Sequence, residues 1–243
     1  SGNRENIIYD IEIIPSILST TFNNRRAVAV FDQNKDGKSN TIHFDNSGIQ
    51  FQQLVGKLGD GVFSLDGSID TTSGVDGEFD LTWNGPSGDK NLFAVLPSVV
   101  GDTLEAIDLR AGRSDLPDGK VLFEGEDWSG LGVSFTGSIS LSDVSISIGI
   151  PLTKIMGMTI VDGRYNKEHL SELKFVLKID SMSALGRHVS DIDGRLRLDS
   201  DLQRIVFEKM RGESTTGSVS VDGWLAVDET KQYEIEILIA GVD

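Results

Sequence analysis

The stretch Phe51–Asp70, FQQLVGKLGDGVFSLDGSID, decides the fold, because it returns as Phe207–Leu225, FEKMRGESTTGSVSVDGWL. Phe51, Leu54, Gly56, Gly61, Phe63, Leu65, Asp66, Gly67 and Ile69 match Phe207, Met210, Gly212, Gly217, Val219, Val221, Asp222, Gly223 and Leu225, each pair offset by 156 residues. A partial copy, Asp193-Gly194 followed by Leu196 and Leu198, lies between them, and Asp162-Gly163 begins another. Apolar residues at every second position mark strands with one apolar face and one wet face. An Asp-Gly pair inside such a run either turns the chain or kinks a continuing strand through a bulge. A recurring unit of this kind belongs to folds that grow by adding like pieces.

The same alternation runs outward through the chain. Strands are expected over 7–14, Arg26–Phe31, Val62–Ile69, Gly77–Trp83, 137–150, Lys174–Ile179, Gly194–Asp199, 217–227 and Tyr233–Ile239. One segment departs from it. Between Asn91 and Leu109, apolar residues fall at helical spacing, with Pro97 expected near a helix start and the helix capping one end of the sheet. The organisation expected is a single β-rich segment, 1–243, of a larger protein. Two repeat units, 7–90 and 137–243, are joined by the helix-containing stretch 91–136.

Charge and composition narrow the function. Asp and Glu outnumber Lys and Arg by 38 to 22, for a net charge of −16. Phosphate neutralisation needs clustered cations, so no nucleic-acid partner is expected. The chain has no cysteine, which excludes disulfides, thiolate metal sites and thiol nucleophiles. Its three histidines, His43, His169 and His188, form no metal-binding or protease pattern, and neither a nucleophile elbow nor a phosphate loop is present. No catalytic residues are therefore assigned. The acidic run Glu124, Glu126 and Asp127 reads as a solvated face. Trp83, Trp128 and Trp224 read as core or rim aromatics.

One loop has metal-ligand spacing. Asp32, Asn34 and Asp36, followed by Gly37, match the opening of a calcium loop, so calcium is the one cofactor to consider. The position that should hold a bidentate Glu is His43, and the flanks read as strands. A polar hairpin tip explains the same residues.

The repeat unit resembles that of the AsmA-like proteins, the TamB group included. The resemblance is closest over Ile205–Asp243 and is extended by Ile150–Ile160, IPLTKIMGMTI, and loosely by Leu96-Pro97. It implies a mainly β fold of antiparallel strands in a curled, taco-like sheet with one short helix. It implies a non-catalytic role in moving phospholipid between the membranes of a bacterial envelope, or in outer-membrane upkeep. It further implies a periplasmic setting, a membrane anchor outside this chain, and neighbouring segments of the same full-length protein as partners. The residues support a related idea independently. A sheet with one apolar face must cover it with another layer or with something greasy. Phospholipid acyl chains could lie in an open trough lined by Val219, Val221, Ile235, Ile237 and Ile239, which share parity within their strands. The same five residues would equally suit a closed core. The alternative is a β-sandwich serving as a secreted adhesion or carbohydrate-binding module, stabilised by calcium.

Overall fold

In a computed structural model, the described residues are 10–22, 25–31, 40–95, 101, 104–105, 107–147, 150–166, 169–201, 203–215, 217–226 and 232–241. They build fifteen strands in one antiparallel sheet, open and curled. The first seven are β1 (Asp10–Ile13), β2 (Ile17–Phe22), β3 (Arg25–Phe31), β4 (Thr41–Asp45), β5 (Gly48–Leu58), β6 (Gly61–Asp70) and β7 (Val75–Pro86). After helix α1 (Lys90–Val95) come β8 (Arg113–Gly125), β9 (Gly132–Ser147), β10 (Pro151–Asn166) and β11 (His169–Ala184). The last four are β12 (Arg187–Asp199), β13 (Arg204–Ser214), β14 (Gly217–Ala226) and β15 (Tyr233–Ala240).

From β4 to β15 each strand pairs with the next in sequence, and β1 adds beyond β4. The hairpin β2–β3 joins at the side, where Ala29–Phe31 pairs with the second half of β5. The two repeat units therefore lie in one continuous sheet, through β8 and β9. A β-sandwich is not what forms. One sheet holds all fifteen strands, and from β5 onward each new strand lies beside the one before it, across tight turns and across the longer stretch 87–112 alike, instead of starting a second layer.

The repeat explains the curl. Between Phe51 and Leu54 the β5 register against β6 slips by one residue, because Phe51 faces Gly67 while Leu54 faces Leu65. Phe207 and Met210 slip in the same way against Gly223 and Val221. These are β-bulges, in which one strand carries an extra residue and bends with added twist. Three more share the form, an apolar residue followed three positions later by another: Leu141/Val144, Leu152/Ile155 and Val189/Ile192. In all five, the residue just before the second apolar one is left-handed: Gln53 (φ 47), Lys209 (φ 53), Asp143 (φ 56), Lys154 (φ 55) and Asp191 (φ 51). The bulge restores inward parity, so both members of each pair reach the same apolar face.

The Asp66-Gly67 and Asp222-Gly223 pairs serve two of these bulges inside continuing strands and do not turn the chain there. Asp66 accepts from the Gln53 N–H at 2.8 Å, and its repeat counterpart Asp222 accepts from Lys209 at 3.4 Å. Each carboxylate satisfies a backbone donor displaced from the ladder. The glycine that follows is required by close approach. A Cβ on Gly67 (φ +150) would sit 2.1 Å from the Glu78 carbonyl oxygen, and one on Gly223 (φ +151) 2.1 Å from that of Glu234. Reversals fall elsewhere, at Gly59-Asp60, a turn that ends on Gly61, and at Leu185-Gly186, where both φ values are positive (51 and 77).

The helix starts at Lys90, upstream of Pro97, which lies outside the described residues. Asp89 sets that start by accepting from the Asn91 N–H at 2.8 Å, an N-cap that the alternation of β7 masks in the sequence. Phe93 and Ala94 are the buried face of α1, and Ala94 joins Ala27, Leu58 and Trp83 in a small core at one end of the curled sheet.

Candidate functional site

The concave face is apolar along its length. Phe31, Ile42 and Leu54 begin it, and Ile69, Val75 and Phe79 continue it. Edge-to-face pairs Phe51–Phe79 (5.2 Å between centroids) and Phe79–Phe123 (5.4 Å) link β5, β7 and β8. Beyond β8 a larger cluster, Val144, Leu152, Ile155, Ile179, Val189, Ile192, Phe207 and Leu225, spans β9 to β14. Val161, Leu170, Leu173, Leu198 and Ile205 form a second cluster on the same strands. Two polar atoms interrupt the lining: Thr159 Oγ1 and Trp83 Nε1 are buried without a hydrogen-bond partner among the described residues. Each such group costs about 1–3 kcal/mol.

Among the described residues, the inner face is most exposed on the two end strands. In β15, Ile239 stands opposite Val219, Ile237 opposite Val221, and Ile235 opposite Gly223. Val219, Val221, Ile235, Ile237 and Ile239 are thus brought onto one face, continuous with buried Leu225 of β14. Ile235 packs against the large cluster, Val219 and Val221 are half-buried, but Ile237 is 40% exposed and Ile239 48%. At the other end, Ile11 and Ile13 stand opposite Phe44 and Ile42 on the same face and are 50% and 44% exposed. Among the described residues, the inner face is buried in the middle of the sheet and exposed on β1 and β15.

The convex face is charged and salt-bridged. Lys120 bonds Glu78 at 2.7 Å and lies 3.6 Å from Asp80, and hydrogen bonding and attraction to Glu78 raise its pKa. Arg197 bonds Glu208 at 2.5 Å, which raises the guanidinium in the same way. Such exposed pairs contribute little to stability; their role is to keep this face wet.

The remaining sequence candidates resolve as follows. Asp32, Asn34 and Asp36 lie outside the described residues, and among the described residues no three metal-ligating side chains gather. His43 faces acidic neighbours on its own sheet, with Nε2 3.5 Å from Asp10 and 3.6 Å from Asp45. Glu124, Glu126 and Asp127 are exposed, and Asp127 caps the 3-10 turn Trp128–Gly130 by accepting from the Ser129 and Gly130 N–H groups. Trp83 is core, whereas Trp224 is a rim residue that stacks under Arg204 (5.3 Å) and donates to Glu234 at 3.2 Å. Trp128 is 56% exposed. Sequence reasoning missed Ile11 and Ile13 as lining residues; their parity with Ile42 and Phe44 only appears once β1 is paired to β4. No family model, no curated protein and no solved structure matches the chain.

Proposed function

We propose that this chain is a non-catalytic segment of an AsmA-like envelope protein whose concave apolar face shelters phospholipid acyl chains. The observation that carries the reading is the uncovered inner row of β15, Ile237 and Ile239, continuous with a buried apolar face. Acyl chains laid along that row would gain about 0.8 kcal/mol for each CH₂ removed from water, with no need for aligned polar groups. The exposed inner residues of β1 support a second element of the reading: neighbouring segments of the same full-length protein extend the trough at both ends. A periplasmic location with a membrane anchor elsewhere in that protein belongs to the same proposal.

The test is lipid extraction and mass spectrometry of protein purified without detergent. Copurifying phospholipid, reduced in an Ile239→Asp variant that melts like the parent, is the expected result. Lipid-free protein, or lipid retained equally by the variant, would sink the proposal. The adhesion reading has lost its sandwich; of its supporting features the acidity and exposed Trp128 stand, the Asp32 loop lies outside the described residues, and a glycan array would probe the reading.

A further inference from the structure

We infer that Met156 is a modification site, oxidised by hydroperoxides, and that its sulfoxide oxygen takes over a bulge hydrogen bond that the thioether makes only weakly. The Asp66 and Asp222 bulges share one geometry. A left-handed residue, Gln53 or Lys209, precedes an apolar one, Leu54 or Met210, which faces Leu65 or Val221 on the next strand. The residue after that partner, Asp66 or Asp222, accepts from the left-handed N–H and is followed by Gly67 or Gly223. The same geometry recurs between β9 and β10. Left-handed Asp143 precedes Val144, Val144 faces Ile155, and Met156 follows, accepting from the Asp143 N–H through Sδ at 3.1 Å. In all three bulges donor and acceptor are 13 residues apart. Gly157 comes next with φ +146, and a Cβ there would lie 2.5 Å from the Lys178 carbonyl oxygen, as those on Gly67 and Gly223 would meet Glu78 and Glu234. Met156 thus occupies the place of the carboxylate.

A thioether sulfur is a weak acceptor. The left-handed residue here is itself acidic, so a carboxylate at position 156 would bring a second negative charge to the bulge, which is unfavourable. A neutral oxygen would serve the Asp143 N–H without that repulsion, and oxidation supplies one. A lone pair of the Met156 sulfur attacks the terminal oxygen of a hydroperoxide. The S–O bond forms as the O–O bond breaks, and the sulfur gives up two electrons. The departing oxygen takes the proton of the attacked OH and leaves as an alcohol, or as water from hydrogen peroxide. Access favours this side chain. Met156 is 41% exposed, whereas the other three methionines, Met158, Met182 and Met210, are half-buried, the last two against the large apolar cluster. The chain has no cysteine to compete for the oxidant. Oxidation of a packed methionine sets a polar group among apolar ones and disrupts the core; at Met156 the new oxygen has a backbone donor beside it. This inference does not rest on the lipid reading and is tested without lipid.

Hydrogen peroxide is the probe. Peptide mapping by mass spectrometry, after brief exposure of the folded chain, should find Met156 oxidised at least ~5-fold faster than any other methionine. Hydrogen exchange followed by NMR should show the Asp143 amide more protected in the oxidised chain than in the parent. It should be less protected in Met156→Leu, a volume-conserving change that removes the acceptor. Met156→Gln, which offers a neutral amide oxygen, should match the oxidised chain and keep the same Asp143 protection after peroxide. The inference is overturned if Met156 oxidises no faster than the half-buried methionines, or if its sulfoxide leaves Asp143 exchange unchanged or faster. Equal Asp143 protection in the parent and in Met156→Leu would also overturn it, because the sulfur would then not be the acceptor.

Discussion

Gly67→Ala isolates the feature that curls the sheet. Two penalties act at this position. A φ of +150 suits glycine, and an L-residue held in such a region costs about 1–3 kcal/mol. The new Cβ would also lie 2.1 Å from the Glu78 carbonyl oxygen and 2.8 Å from the Phe79 Cα, where ordinary contact begins at 3.4 Å. Both atoms are backbone, so relief requires β6 and β7 to separate, which stretches ladder bonds beside the Asp66–Gln53 bond. Overpacking of this kind adds about 1–3 kcal/mol. The total expected loss is roughly 3–5 kcal/mol, or on the order of 10 °C in melting temperature for a chain of this size. Gly186→Ala is the control. Its φ is +77, but nothing lies within 4 Å of the new Cβ, so only the conformational part, about 1 kcal/mol, should appear. Urea unfolding followed by circular dichroism measures both. If the two variants lose the same stability to within about 0.5 kcal/mol, close strand approach at Gly67 is not what the Asp-Gly pair is for.

Four further outcomes are expected. Gly223→Ala meets the same 2.1 Å contact, but against the end strand β15, which can shift; its loss in the same urea assay should be smaller than that of Gly67→Ala. Asp66→Ala strands the Gln53 N–H and should cost about 1 kcal/mol, whereas Asp66→Asn, which keeps an acceptor, should recover most of it. Asp45 and Asp70 have lowered pKa values, chiefly through the Ser47 and Thr72 hydroxyls and then their N–H groups. A depressed carboxyl stabilises the fold above its unfolded value of 3.8 and loses that effect as pH falls through the lower folded value; melting curves should show this acid loss, and Asp45→Asn should show less of it. Millimolar calcium should leave the melting temperature unchanged, because His43 stands where a calcium loop needs its bidentate Glu; a rise abolished by Asp32→Ala would restore the loop as a ligand set.

Much of the fold was legible because a strand writes its two faces into alternate residues. β6, β7, β14 and β15 follow from the alternation of Phe63, Phe79, Val221 and Ile237 with polar neighbours. β8 did not, for a definite reason. Leu116 and the pair Val121 and Phe123 all reach the concave side, yet their spacing is odd, since a register slip between Asp115 and Lys120 adds one residue. Pro117-Asp118-Gly119 then looks like a turn. The same slip turns Leu152/Ile155 and Val189/Ile192 into pairs three apart, a spacing that by itself suggests a helix. The lining residues of β14 and β15 were legible from parity. Ile11 and Ile13 lie within the expected strand 7–14, but alternation alone does not say that their face meets that of Ile42 and Phe44; that follows from the pairing of β1 with β4.

By itself the sequence determined that the chain would form antiparallel strands with one oily and one charged face, broken by a repeated Asp-Gly device. Those properties are local: they depend on neighbours one, two or three positions away. The tertiary structure alone decided that Asp66-Gly67 and Asp222-Gly223 kink strands and do not reverse them, and that fifteen strands form one open sheet instead of two closed layers. It also decided that the oily face is left bare at β1 and β15. Each of these depends on which strand lies alongside, and a period of two is the same whether the face meets a second sheet, its own curled wall or nothing.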